Sequence, residues 1–146
     1  MICTQRIDTR GRILLIILGE PVAKPRMTQR DKWKQRPDVM RYRAWCDFVR
    51  IVAGKIPDAN LVEAVNWTAW FKLPASWSRK ARAAAIETPH RQRPDKDNLD
   101  KGVLDTLWKE DAAIYRGSQA KYWGEEPRIE IEIVLSQEQE AQDAVL

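Results

Sequence analysis

Cysteine and histidine are nearly absent from this chain, with two Cys and one His in 146 residues. Cys3 and Cys46 lack the spacing of a zinc site, and one possible bridge is no disulfide framework, which fits a reducing cytoplasm. With His90 alone, no Cys/His zinc set can be built, nor any histidine-based nucleophile constellation around a serine. His90 itself reads as a loop residue or phosphate contact rather than a catalyst. The six glycines nowhere gather into a phosphate-cradling loop. Long apolar runs are also missing. The longest, Ile13 to Leu18, falls far short of the roughly 20 residues that cross a bilayer, and no small-residue cleavage site follows it. Membrane insertion and secretion are both argued against.

Charge and tryptophan are abundant. Lys and Arg number 25 against 21 Asp and Glu, the mean hydropathy is −0.55 and the pI about 9.2. The formal charge of +4 conceals an asymmetry: Glu125 to Leu146 carries −6, which leaves +10 on residues 1–124. Lys24 to Arg50 is the densest basic stretch, and Arg79, Lys80, Arg82, Arg91 and Arg93 form a second cluster. Cations grouped in segments suit a phosphate backbone, because each neutralised phosphate releases condensed counterions; a merely solvated surface is the alternative. Seven tryptophans exceed what one small core readily buries; most read as core or interface anchors, and some are expected to be exposed, at a dimer interface or stacked on bases.

The length suits one domain, residues 1–146, with a polar, acidic tail from 137 to 146 that is expected to fray. Arg12 to Leu18 reads as a strand, followed by a basic loop that Pro21 and Pro25 keep out of a sheet interior. Trp45, Phe48, Val49 and Val52 recur at helical spacing from Arg41 to Ala53, and Val62 to Lys72 alternates as a strand. A short basic helix starts at Ser76 or Ser78. Leu99, Val103, Leu104 and Leu107 give a helix from Asp97 to about Trp108. A strand within Ala113 to Tyr122 and another from Ile129 to Leu135 are expected to pair as a hairpin through Gly124 to Pro127. The result is an α+β fold with about four strands in a small mixed sheet, in β-α-β-α-β-β order, under two main helices.

The informative stretch is Arg93-Pro94-Asp95-Lys96-Asp97-Asn98-Leu99-Asp100-Lys101, with Glu110-Asp111 downstream. Asp95 and Asp97 sit where a turn enters a helix, and two carboxylates one residue apart there can converge on a hard divalent cation. Asp97, Lys101 and Asp105 line one helix face, opposite Leu99, Val103 and Leu107. The competing account is helix capping by the aspartates and an ordinary Asp97–Lys101 pair. An acidic knot inside a basic chain favours a metal site at which a polyanion docks.

These residues resemble the RusA family of Holliday junction resolvases. The resemblance rests on Pro94-Asp95-Lys96-Asp97-Asn98-Leu99 with Lys101, on Leu104-Asp105-Thr106-Leu107, on Trp108-Lys109-Glu110-Asp111-Ala112, and on Arg128 to Ile133. Weaker matches run through Pro74 to Lys80 and Gly19-Glu20-Pro21 with Lys24 and Arg26. The resemblance implies a homodimeric, magnesium-dependent endodeoxyribonuclease, with manganese as an alternative ion, that makes paired incisions in a four-way DNA junction. Asp95, Asp97 and Asp111 would bind the metal and Lys101 would assist, while Lys24, Arg26, Arg91 and Arg93 would hold DNA. The chain departs from the family in a shortened connection after Leu107 and in Glu110 where an aspartate is usual, so the third ligand rests between Asp111, the family position before Ala112, and Glu110. A non-catalytic DNA-binding module and a metal-dependent phosphatase or nucleotide hydrolase are the other classes.

Overall fold

The computed structural model describes residues 2–26 and 36–136. Five strands form one sheet in the order β1-β2-β5-β3-β4, with β1 Gln5–Thr9, β2 Arg12–Leu18, β3 Val62–Lys72, β4 Gln119–Gly124 and β5 Arg128–Leu135. Every pairing is antiparallel except β3 with β4. Among the described residues there are three α-helices, α1 Pro37–Ala53, α2 Arg79–Ala85 and α3 Lys96–Leu107, and a 3-10 turn at Ala59–Leu61. This is the expected α+β architecture, with one more strand than the about four read from sequence; α1 and α3 are the two main helices and α2 is the short basic helix expected to start at Ser76 or Ser78. The extra strand, β1, is an edge strand of largely polar sequence whose Ile7 stays 37% exposed, so no apolar alternation marked it. Its turn into β2 uses Gly11 at φ 75°, a left-handed conformation that costs a side-chain-bearing residue energy.

β5 is the middle strand. Ile129, Ile131 and Ile133 are fully buried against the helices, while Glu130 and Glu132 stand on the opposite face. There Arg12 bridges to Glu132 at 2.9 Å, Asn66 donates to the same carboxylate, and Arg128 pairs with Glu130 while stacking 3.8 Å over Trp70. The expected β4–β5 hairpin does not form. β4 instead runs parallel to β3, and the connection through Pro127 passes the end of β3 so that β5 fits between β2 and β3. The pairing is fixed upstream of β4, where the amides of Val65 and Trp67 donate to the carbonyls of Arg116 and Ser118. That close approach requires Gly117, because a Cβ there would lie 2.1 Å from the Val65 carbonyl oxygen.

α1 and α3 pack on one face of the sheet through Tyr42, Val49, Leu99 and Val103. α1 begins four residues earlier than its apolar periodicity indicates, with Pro37 in its first turn, where a missing N–H costs nothing. Ser78 caps α2 by accepting from the Ala81 amide at 3.1 Å. Among the described residues most tryptophans are core anchors, and none is fully exposed. Trp45, Trp67, Trp108 and Trp123 are buried, and Trp70 and Trp77 are half-buried. The first three of these form the wall between helices and sheet, and the indole N–H groups of Trp67 and Trp108 find acceptors in Asp100 and the Pro57 carbonyl. Trp33 and the acidic tail, 137–146, lie outside the described residues, and no described helix is long and apolar enough to cross a membrane.

Candidate DNA and metal site

α3 carries the acidic motif, and its start is held by neighbours on three sides. Asp95 is the residue before the first turn, yet its side chain makes no capping hydrogen bond, so the helix does not use its carboxylate. Lys121, on β4, donates to the carbonyls of Gln92 and Pro94 at 2.7 and 2.6 Å and thereby fixes the turn that presents Asp95. Burial lowers the Lys121 pKa, and the charge of Asp95 opposes that shift. Nothing in the sequence singled out Lys121, because its partners are backbone carbonyls brought to it by the fold. Asp97, two residues on, is exposed and among the described residues pairs with Lys96 alone, at 3.4 Å. The Asp97–Lys101 pair does not form, and Lys101 is exposed. The neighbouring acid Asp100 is committed to structure, accepting from the Trp67 indole at 2.9 Å.

Beside α3 the basic loop after β2 comes close. The Lys24 amide donates to the Asn98 carbonyl at 3.2 Å, and Gly102 leaves room for the loop, its Cβ position lying 3.4 Å from the Lys24 nitrogen. The result is a groove of about 550 Å³ whose walls include Lys24, Arg26, Arg41, Arg93 and Asp95. Three of the four expected DNA contacts therefore share one groove with the first expected metal ligand. Arg41, outside that expectation, joins them from α1. The fourth, Arg91, is exposed and does not line the groove. Lys24 plays a second part, for its ammonium is paired with Asp105 of α3. It ties the loop to the helix as well as adding charge.

The downstream acids differ in how they are engaged. Glu110 folds onto its own turn, accepting from the Ala112 amide at 3.1 Å. Asp111 is half-buried; its carbonyl accepts from Ile114, and its carboxylate makes no hydrogen bond or ion pair among the described residues. Arg116, a conceivable partner for either, pairs with Glu63 instead. Among the described residues, no group of three or more His, Cys, Asp or Glu side chains is placed to share a metal ion. Asp95, which is uncommitted, and Asp97, which has only an exposed Lys96 against it, nonetheless fit magnesium, which is commonly held by one or two protein carboxylates and completes its octahedron with water and substrate phosphate.

His90 is no phosphate contact. It is 5% exposed, stacked on Phe71 with centroids 4.2 Å apart and edge-on to Trp123 at 4.3 Å. Burial, reinforced by the Lys121 charge, brings its pKa down to about 4, so it is neutral near pH 7.

Comparison with known proteins matches residues 19–134 to the family of the endodeoxyribonuclease RusA. YqaN of Bacillus subtilis (strain 168), an uncharacterized protein, is 27% identical over 134 residues, covering 83% of this chain and 94% of its own. With its acidic turn set in a basic groove and most of its length within that match, the chain belongs to the RusA endodeoxyribonuclease family.

Proposed function

We propose that this chain is a single nuclease domain that acts as a homodimer on four-way DNA junctions, hydrolysing phosphodiesters with magnesium, or manganese, in paired incisions. The observation that carries the reading is Asp95, whose carboxylate is left uncommitted in the wall of a groove that also holds Lys24, Arg26, Arg41 and Arg93, with Asp38 as its other acid. Arg26, Arg41 and Arg93 neutralise backbone phosphates and hold the strand against α3. Asp95 and Asp97 would hold the ion, with Asp111 as third ligand in preference to Glu110, whose side chain already serves its own turn. When bound, the ion supplies Lewis-acid stabilisation of charge on the phosphate and a water of lowered pKa. Lys101, a turn beyond Asp97 and unpaired among the described residues, adds positive charge where negative charge develops. Lys121 keeps the turn in place while the carboxylates work.

The deciding assay presents purified protein with a four-way junction and a matched linear duplex, with and without magnesium. Cleavage of the junction alone, and only with the ion, is expected. Asp95→Asn, Asp97→Asn and Asp111→Asn should each abolish it while leaving junction binding intact or tighter, because a lost carboxylate also removes repulsion from phosphate; Glu110→Gln should stay active. Full activity in Asp111→Asn beside a dead Glu110→Gln would reverse the ligand assignment. Binding without cleavage in any metal would make the chain a DNA-binding module, and hydrolysis of free nucleotides instead of junctions would make it a phosphatase or nucleotide hydrolase.

A further inference from the structure

A second cationic cleft lies at the far ends of β3 and β4. Lys72 ends β3 in register with Gly124, which ends β4, and α2 lies against these ends. Lys72, Arg79 and Arg82 share the walls of a cleft of about 410 Å³, floored by Leu73, Ala83 and Ile86; Glu125 is its one acid. None of the three cationic side chains donates a hydrogen bond or closes an ion pair among the described residues. Arg82 is the telling member, for its Nε–H is shut off from solvent with no acceptor. The terminal nitrogens of the same guanidinium are not shut off in this way, and they are the donors that an anion in the cleft can reach.

We propose that this cleft is a second phosphate site, which grips the backbone of a DNA arm beyond the groove. The guanidinium fork matches phosphate oxygens two at a time, and the apolar floor suits the deoxyribose beside a phosphodiester. Cleft and groove are also neighbours. Glu20 sits between them, its Oε1 3.4 Å from the Lys72 amide and its carboxylate under the charges of both Lys72, from the cleft, and Arg41, from the groove. The Lys72 and Arg41 charges that flank Glu20 offset its repulsion of phosphate, so that one polyanion reaches both.

The inference rests on the DNA-binding part of the proposed function and not on cleavage, so its test omits divalent metal. Affinity of a fluorescent four-way junction is measured across a salt series, with long arms and with arms progressively shortened. Lys72→Gln and Arg79→Gln, both at exposed positions, should each weaken long-arm binding about threefold to tenfold and reduce the salt slope by about one. The deficit should vanish once the arms no longer reach the cleft. Unchanged affinity and slope at every arm length would overturn the proposal. Should the parent protein bind no DNA at all, the groove reading fails, and inorganic phosphate followed through the Arg82 Nε–H resonance judges the cleft alone: a saturable shift supports it and an unmoved resonance overturns it.

Discussion

At the scale of single residues, what a side chain does here depends on which partners the fold leaves it. Asp95, Asp97 and Asp100 lie within six residues of one another, yet Asp100 is occupied by the Trp67 indole while Asp95 has no such partner. The sequence showed the acids as a set; it could not show that division, because Trp67 is 33 residues away. His90 is the clearest reversal. A lone histidine between Pro89 and Arg91 looks like a polar loop, but the backbone there pairs with β4, the His90 amide donating to the Lys121 carbonyl at 3.0 Å, which turns the ring inward between Phe71 and Trp123. The unfolded chain protonates His90 near the ordinary pKa of 6.5, the folded one only near 4. Folded protein thus binds fewer protons between those values, and the stability that neutral His90 allows is full above pH 6.5 and lost as the pH falls toward 4. Urea denaturation of His90→Phe, which keeps an aromatic ring in the stack, should show a flatter decline between pH 6.5 and 4 than the parent; equal slopes would mean that His90 does not titrate in that window.

At the scale of elements, strands and helices with strong periodicity were legible in the sequence, and their pairing was not. β2, β3, α3 and β5 fall within a residue or two of their apolar patterns. The short connection through Gly124 and Pro127 carries the composition of a hairpin turn, but Gly117 decides otherwise by letting the preceding loop lie on β3. This gives Gly117 an outsized structural weight. A methyl group there meets the Val65 carbonyl at 2.1 Å, a backbone atom that can move only with β3, so Gly117→Ala must displace the amide bonds from Val65 and Trp67. We expect a loss of about 1–3 kcal/mol and faster amide exchange at Val65 and Trp67 than at Ile131 in β5. Unaltered stability would show that the loop has another path to β4. The same logic explains why Lys121 escaped notice: its function follows from the register of β4 on β3, which places it under the turn at Pro94.

At the scale of the whole molecule, the acidic turn occurs once per chain, whereas paired incision demands two. If each protomer cuts one strand, a two-fold assembly places two equivalent sites on a junction that is itself two-fold. Trp45, Trp67, Trp108 and Trp123 serve the core of this chain, which leaves half-buried Trp70 and Trp77, among the described residues, for such an interface. The dimer therefore has to be tested through its chemistry. Parent and Asp95→Asn protomers carrying different affinity tags, co-expressed and purified through both tags, isolate the mixed dimer. That species should bind the junction as tightly as the parent dimer and leave it nicked in one strand instead of resolved, because one groove retains its full ligand set and the other lacks Asp95. Resolution at the parent rate would mean that a single site visits both strands in turn. Failure to recover any doubly tagged protein, with both chains expressed, would remove the homodimer and with it the account of paired cutting.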